Sequence, residues 1–209
     1  MLPVRSLIER LSLPDGTPLL LRPLRPSDWR GLQAGFAELS PEDRRLRFFW
    51  PLPRLSDAAA QRLCRIDYDR QMALALFDLS RRPAAGIGVG RLVRDAAGPG
   101  VESGPGVELG QGVESGTEVA AELALVLLAP WRGRGLGRLL LTRLLAWARG
   151  AGFTCLHGLV LEENLAARRL LESCGFTLRQ SAEGRGLLRA ERRLGGAAQA
   201  ATVASRSKA

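Results

Sequence analysis

The stretch APWRGRGLGRLL (residues 129–140) concentrates more chemical potential than any other part of the chain. Gly133, Gly135 and Gly137 alternate with Arg132 and Arg134, and a leucine-rich run follows at once. A loop this bare of side chains turns backbone N–H groups outward and lets a ligand approach closely. The first amides of a helix have no partner of their own, and the helix dipole is positive there. Together these features predict a site for a diphosphate, to which Arg132, Arg134 and Arg138 would add charge-assisted hydrogen bonds. A Walker loop requires G-K-[ST], and no lysine stands here; a dinucleotide fingerprint requires a third glycine where this sequence has Arg138. The similar GIGVGR (86–91) precedes no helical pattern and reads as strand glycines.

Glu122 is the second chemical feature. It lies in AAELALVLL, where period-2 spacing puts Glu122, Ala124 and Val126 on one face. A carboxylate in such apolar company is expected to have a raised pKa, which suits a general base. The single histidine, His157, falls in a strand pattern and reads as structural, as do the widely spaced Cys155 and Cys174. Arg44, Arg45 and Arg47 read as a solvated helix face rather than a docking patch.

The elements that must hold these residues follow from periodicity and punctuation. Asp15-Gly16 beside LLLRPL predicts a hairpin within residues 13–24. Ser27 is expected to cap a helix running to about Glu38. Ser40, with Pro41 and Asp43 in the first turn, caps a second helix, and Ser56 a third. Residues 72–79 and 86–95 read as two strands. Residues 99–116 then repeat a PGVESG-like hexapeptide three times, too few copies to build a β-helix coil, so a flexible insert over 96–117 is expected. Residues 117–130 form a strand too apolar to be exposed on both faces. A helix from the glycine loop to about Gly150, a strand at 154–161, a helix at 164–175 and two closing strands complete the pattern. The sum is a single mixed α/β domain over 14–194, preceded by an extension (1–13) and followed by a small, polar tail (195–209) expected to be disordered.

Composition narrows the class. The chain has 209 residues, 46% hydrophobic, with a formal charge of +9 in which Lys208 is the only lysine. That excess favours anionic partners. Aromatic residues at 5% are thin for nucleic-acid stacking. Three cysteines without a C-x-x-C pair argue against a disulfide framework or zinc site and fit a reducing cytosol. Arg5, Glu9 and Arg10 interrupt any signal-peptide core, and the run from Leu123 to Trp131 is too short to span a bilayer. A cytoplasmic protein without a metal centre or membrane association is expected.

The glycine loop matches [RQ]-x-x-G-x-[GA], and NLAARRLLESCGF (164–176) resembles N-x-x-A-x-x-L-Y-E-x-x-G-F, with Asn164, Ala167, Leu170, Glu172, Gly175 and Phe176 in place. On these two motifs the chain resembles the GNAT N-acetyltransferase superfamily. LRPLRPSD, LSPEDRRLRFF, IDYDRQMALAL and AELALVL extend the likeness to bacterial Pat-type protein lysine acetyltransferases over residues 14 to 194. Pat-type enzymes usually carry a further large domain, for which 209 residues leave no room, and the PGVESG insert has no counterpart in them.

The resemblance implies a mostly antiparallel central sheet flanked by helices, with acetyl-CoA as co-substrate and an amine acceptor. It places the catalytic glutamate on Glu122. It runs the pantetheine arm along Leu125, Val126 and Leu127, with the Val126 N–H as oxyanion donor. It sets the diphosphate on Arg132, Gly133, Arg134, Gly135, Gly137 and Arg138. Asn164 either binds the pantetheine or simply caps its helix. Leu171 stands where relatives have a tyrosine, so no dedicated general acid is expected. Asp67 and Asp69 either recognise a cationic acceptor or satisfy turn amides. Phe48 and Phe49 either wall the acceptor groove or pack the core. The implied acceptor is a protein with a reactive lysine, on the Pat pattern an AMP-forming acyl-CoA synthetase. The rivals are a small amine or polyamine, or a non-catalytic acyl-CoA-sensing or nucleic-acid-docking module.

Overall fold

The computed structural model describes residues 7–49, 52–95 and 119–195. Eight strands form one sheet: β1 (Glu9–Ser12), β2 (Pro18–Pro23), β3 (Gln71–Asp78), β4 (Ala85–Arg94), β5 (Ala120–Leu127), β6 (Cys155–Leu161), β7 (Thr177–Gln180) and β8 (Leu187–Arg193). Their spatial order is β1-β2-β3-β4-β5-β6-β8-β7. Every neighbouring pair is antiparallel except β5 and β6, which run parallel.

The sheet begins earlier than residue 14. Residues 9–12, expected in an N-terminal extension, pair with β2 through the Asp15-Gly16 turn. Arg143 fixes that edge strand to helix α4 (Leu136–Gly150), bonding both Glu9 oxygens at 2.6 and 2.9 Å. The expected insert (96–117) and the tail beyond residue 195 lie outside the described residues.

Two helical layers cover the sheet. Leu136, Leu140, Leu141, Leu144 and Leu145 recur at helical spacing along α4 and are all buried. They pack on Leu19, Leu21, Met72, Leu74, Leu76, Leu92 and Leu156 in the main core. Helix α5 (Leu165–Ser173) lies at the same face. Opposite them lie α1 (Trp29–Glu38), α2 (Pro41–Phe48) and α3 (Asp57–Cys64), over the alternate residues of β3, Ala73, Ala75 and Phe77. Being covered on both faces, β3 is buried almost throughout.

The caps follow the expected chemistry at two helices and not at the third. Ser40 and Ser56 accept from the amides of Asp43 and Ala59, at 3.0 and 3.2 Å. Ser27 caps nothing: Pro26–Asp28 winds as a 3-10 turn, and Asp28 stands at the start of α1. Asp28 is diverted because Arg22 holds both its carboxylate oxygens, at 2.7 and 2.8 Å.

One close approach sets the shape of the sheet's centre. A Cβ at Gly158 of β6 would stand 2.7 Å from the Leu123 carbonyl oxygen. Gly158→Ala therefore forces β6 away from β5 and is expected to cost about 1–3 kcal/mol. A thermal melt measures this; an unchanged midpoint would mean the strands have slack there.

Candidate active site

The site grows out of that approach. The β5–β6 ladder consists of Ala120–Cys155, Ala121–Leu156 and Glu122–His157 and then stops. Beyond it the strands diverge, and a cleft opens between them. The Leu128 amide donates to Ile87 on β4 and the Asp95 amide to Ala120. By alternation, the backbone groups of Glu122, Ala124 and Val126 point into the β4 ladder, and those of Leu125 and Leu127 face the cleft. This corrects the expectation for Val126. Its N–H belongs to the sheet, and the amides presented to the cleft are those of Leu125 and Leu127. The Val126 side chain instead lines a chamber on the other face of β5.

The glycine loop lies at the cleft's mouth. Gly133 and Gly135 hold φ of +72° and +79°, left-handed conformations that a side chain resists. Gly135 is the N-cap of α4, and no side chain caps that helix. The Leu139 amide is the first to bond back, to Gly135 O at 3.0 Å, which leaves the amides of Leu136, Gly137 and Arg138 without helical partners. Gly137 packs against α5, where a Cβ would come within 3.0 Å of Leu170.

The loop's arginines are arranged differently from expectation. Arg132 donates to the Leu127 carbonyl from Nε and Nη2, at 3.0 and 2.9 Å, and pairs with Asp43 of α2 at 2.7 Å. Burial opposes the Asp43 charge, but its bonds to Arg132 and Ser40 outweigh that and hold it below the usual aspartate range. Arg134 pairs with Asp15 in the β1–β2 turn and stacks on Trp131. Arg138 reaches the Ser173 carbonyl at 3.4 Å. These side chains brace the loop, and its amides are what it offers a diphosphate.

Glu122 sits at the apex of the cleft, beside His157 on the adjacent strand. Burial pushes its carboxyl above the ordinary glutamate range, and the charges of Arg47 and His157 pull it part of the way back. His157 is buried, with Nε2 2.8 Å from Asp95 Oδ2.

Asn164 and Phe49 line the same cleft. Asn164 caps α5, its Oδ1 accepting from Ala167 at 3.1 Å, while still facing the cleft. Leu171 lines it where relatives have a tyrosine. The one tyrosine, Tyr68, is spent on the Leu24 carbonyl.

Behind Glu122, between β3–β5 and the helices α1–α3, lies an apolar chamber of about 140 Å³ that includes Phe36, Phe48, Ala75, Val89, Ala124 and Val126. Phe48 both walls this chamber and packs on Phe36, ring centroids 5.5 Å apart. Asp67 and Asp69 line neither cavity. Asp67 Oδ1 accepts from the amides of Asp69, Arg70 and Gln71 at 2.9 to 3.1 Å, a turn function.

Of Arg44, Arg45 and Arg47, the first two lie on a solvated face as expected but are engaged there, and the third turns to the cavities. Arg44 bonds the carbonyls of Pro53 and Ala37. Arg45 joins Glu42 to Glu163 across the cleft mouth. Arg47 lines both the cleft and the chamber. Arg91, on β4, lines the chamber as well. Sequence reasoning missed this placement of Arg47 and Arg91; the one available signal was that each stands among apolar neighbours, in RLRFF and GVGRLV. Cys64, Cys155 and Cys174 are buried thiols, and burial pushes the Cys64 thiol up to about 11, which leaves it no nucleophile. Among the described residues no cluster of metal-ligating side chains occurs, and no helix is long and apolar enough to cross a membrane.

A sheet that parts beside a glycine-loop helix, with a carboxylate at the fork, is the framework of an acyl-CoA-dependent N-acyltransferase. The family model described as Acetyltransferase (GNAT) domain matches residues 18–177, and the chain belongs to this family of acetyl-CoA-dependent N-acetyltransferases. An acetyltransferase of Pseudomonas aeruginosa is 28% identical over 165 residues, 79% of this chain and 78% of that protein. Among solved structures, the GNAT domain of Streptomyces lividans PAT is 26% identical, with a TM-score of 0.74 over 93% of this chain and all of that one. The spermidine N-acetyltransferase of Vibrio cholerae, in complex with CoA and spermine, shares the fold, at 19% identity and a TM-score of 0.57 over 84% of this chain and 95% of that one.

Two outcomes follow from this geometry. Gly135→Val places a β-branched side chain at φ +79°, at about 1–2 kcal/mol, and is expected to weaken acetyl-CoA binding about tenfold by calorimetry. For Glu122, the raised carboxyl retains its proton in the folded state above the ordinary value of 4.5. Stability therefore falls as pH rises from that value through the raised one, and the carboxylate becomes available as a base only above it. The acid limb of kcat/KM is expected to lie above the ordinary glutamate range and to vanish in Glu122→Gln; a limb near 4.5 would contradict the assignment.

Proposed function

We propose that this protein transfers the acetyl group of acetyl-CoA to the side-chain amine of a lysine in a cytoplasmic protein, with Glu122 as general base. The observation that carries the reading is the position of Glu122, which lines the cleft at the fork of β5 and β6 and shares a strand face with Ala124 and Val126, residues that line the apolar chamber. An extended thioester arm suits the cleft, where the amides of Leu125 and Leu127 can pair with it as a strand would. The thioester carbonyl then lies near amides able to stabilise a developing oxyanion. The loop amides from Gly133 to Arg138 take the diphosphate.

The acceptor's amine is an ammonium at neutral pH. Deprotonating it from a pKa of about 10.4 costs roughly 4.6 kcal/mol at pH 7. Glu122 accepts that proton, and the freed amine attacks the thioester carbonyl. The tetrahedral adduct collapses as the C–S bond breaks, and the extra proton on nitrogen passes to the departing CoA thiolate through water, leaving the amide and CoA thiol. A thiol pKa of about 8.5 makes that departure easy without a dedicated acid, which agrees with Leu171 in the tyrosine's place.

Among the described residues, the one carboxylate that lines the chamber is Asp28, which Arg22 holds on both oxygens. A polycation finds no free negative partner there, whereas the four methylenes of a lysine match the apolar walls. The likeness to the PAT domain, with the glutamate motif in place, supports a protein acceptor, an AMP-forming acyl-CoA synthetase being the class that resemblance names.

Labelled acetyl-CoA incubated with the protein and a lysate is expected to place label on protein lysines. Glu122→Gln should lower turnover by about 10²–10⁴ while leaving acetyl-CoA binding heat unchanged. Label confined to small metabolites would refute the acceptor, and full turnover in the variant would refute the base.

A further inference from the structure

We infer that the chamber takes an acceptor amine that also carries an anionic group, a carboxylate or phosphate, which Arg47 binds with Arg91 beside it. The inference rests on the reading above, in which the acceptor enters this chamber and meets Glu122.

Three observations support it. Arg47 is the charged side chain common to the cleft and the chamber, so it borders the place where the acetyl group and the amine meet. No hydrogen bond or ion pair engages it among the described residues, and its guanidinium rests on the Phe48 ring at 4.9 Å. The side chain is half-buried, and partial desolvation without an acceptor pushes it below the usual arginine range. Such a group is kept where a ligand will complete it. Arg91 adds a second positive charge: it bonds the Leu63 carbonyl at 3.0 Å and the Gln71 side chain at 2.5 Å, both neutral.

The charges close only with an anion. Glu122 is the carboxylate whose charge acts on both arginines, and Asp67 acts on Arg91 from its turn. Asp28 is spent on Arg22. When Glu122 takes the amine's proton it becomes neutral, and both guanidiniums lose a counter-charge. An anion on the acceptor offsets that loss, and a second ammonium compounds it. A carboxylate supplied by a small amino acid or by an acidic side chain next to a protein lysine provides the same chemistry.

The test is a matched acceptor series. Hexylamine, 6-aminohexanoate and 1,6-diaminohexane differ only in the distal group, and three lysine peptides with Glu, Gln or Arg beside the lysine form the second arm. CoA release gives kcat/KM for each. The carboxylate member of an arm is expected to exceed its cationic member about tenfold or more. Arg47→Met should flatten the order to within about threefold, and Arg47→Lys should retain it. Order in the small-amine arm identifies a small amino acid as source, and order in the peptide arm an acidic neighbour of the lysine; either supports the inference. Equal rates across both arms in the wild-type protein would overturn it while leaving acetyl transfer intact. An order that survives Arg47→Met would also overturn it, because another group would be reading the charge. No turnover with any acceptor, acetyl-CoA binding being normal, would overturn the transfer reading and this inference together.

Discussion

The organisation of the site depends on the point at which two parallel strands stop pairing. β5 has hydrogen-bonding neighbours on both sides only from Ala120 to Glu122; from Leu123 onward its second row of backbone groups has no strand beside it. Such a row inside a protein is an open valence. The Leu127 carbonyl is satisfied by Arg132, and the amides of Leu125 and Leu127 remain for an extended, amide-bearing ligand. Gly158 allows β6 to press against the Leu123 carbonyl at the last point of contact. The apex is therefore tight where Glu122 sits, and the cleft widens only beyond it.

Around this fork the eight residues of α2 act as a hub. Asp43 at its start takes Arg132 from the glycine loop, and Arg45 reaches Glu163 ahead of α5. Arg47, Phe48 and Phe49 at its end face the two cavities. The helix is polar in composition, and most of its charged side chains bond another group. Arginine suits this use, because one planar guanidinium can bond a carbonyl and a carboxylate together, as Arg132 does. The near-total preference for arginine over lysine thus has a structural use, whatever its origin.

Much of this was legible in the sequence, and the exceptions share a cause. The glycine loop, the α4 leucines, Ser40, Ser56, Asn164 and the strand with Glu122 are local patterns, set by spacing within one element. The failures are relational. Ser27 lost its cap position because Arg22, on another strand, fixed Asp28. Val126 was misassigned because the direction of a strand amide depends on which neighbour its row faces, and β4 lies on that side. Arg132 and Arg134 also hold carboxylates, Asp43 and Asp15, that lie about ninety and a hundred and twenty positions away in the chain, where no local spacing announces them. Arg47 reads in sequence as one charge of a helix face and Arg91 as an ordinary strand charge, and only the fold brings them to one chamber.

Arg47 also acts on Glu122, the carboxylate proposed as the base. Burial alone raises a carboxyl until it keeps its proton, and a protonated acid accepts nothing. A strong ion pair would err the other way: the carboxylate would stay ionised and become too weak a base to draw a proton from an ammonium. Glu122 lies between these limits. It is half-buried, and the positive charge of Arg47 acts on it from beyond ion-pair contact, with a smaller influence from His157 on the neighbouring strand. The guanidinium thus tempers the basicity of the carboxylate without occupying its oxygens, which remain free for the incoming amine.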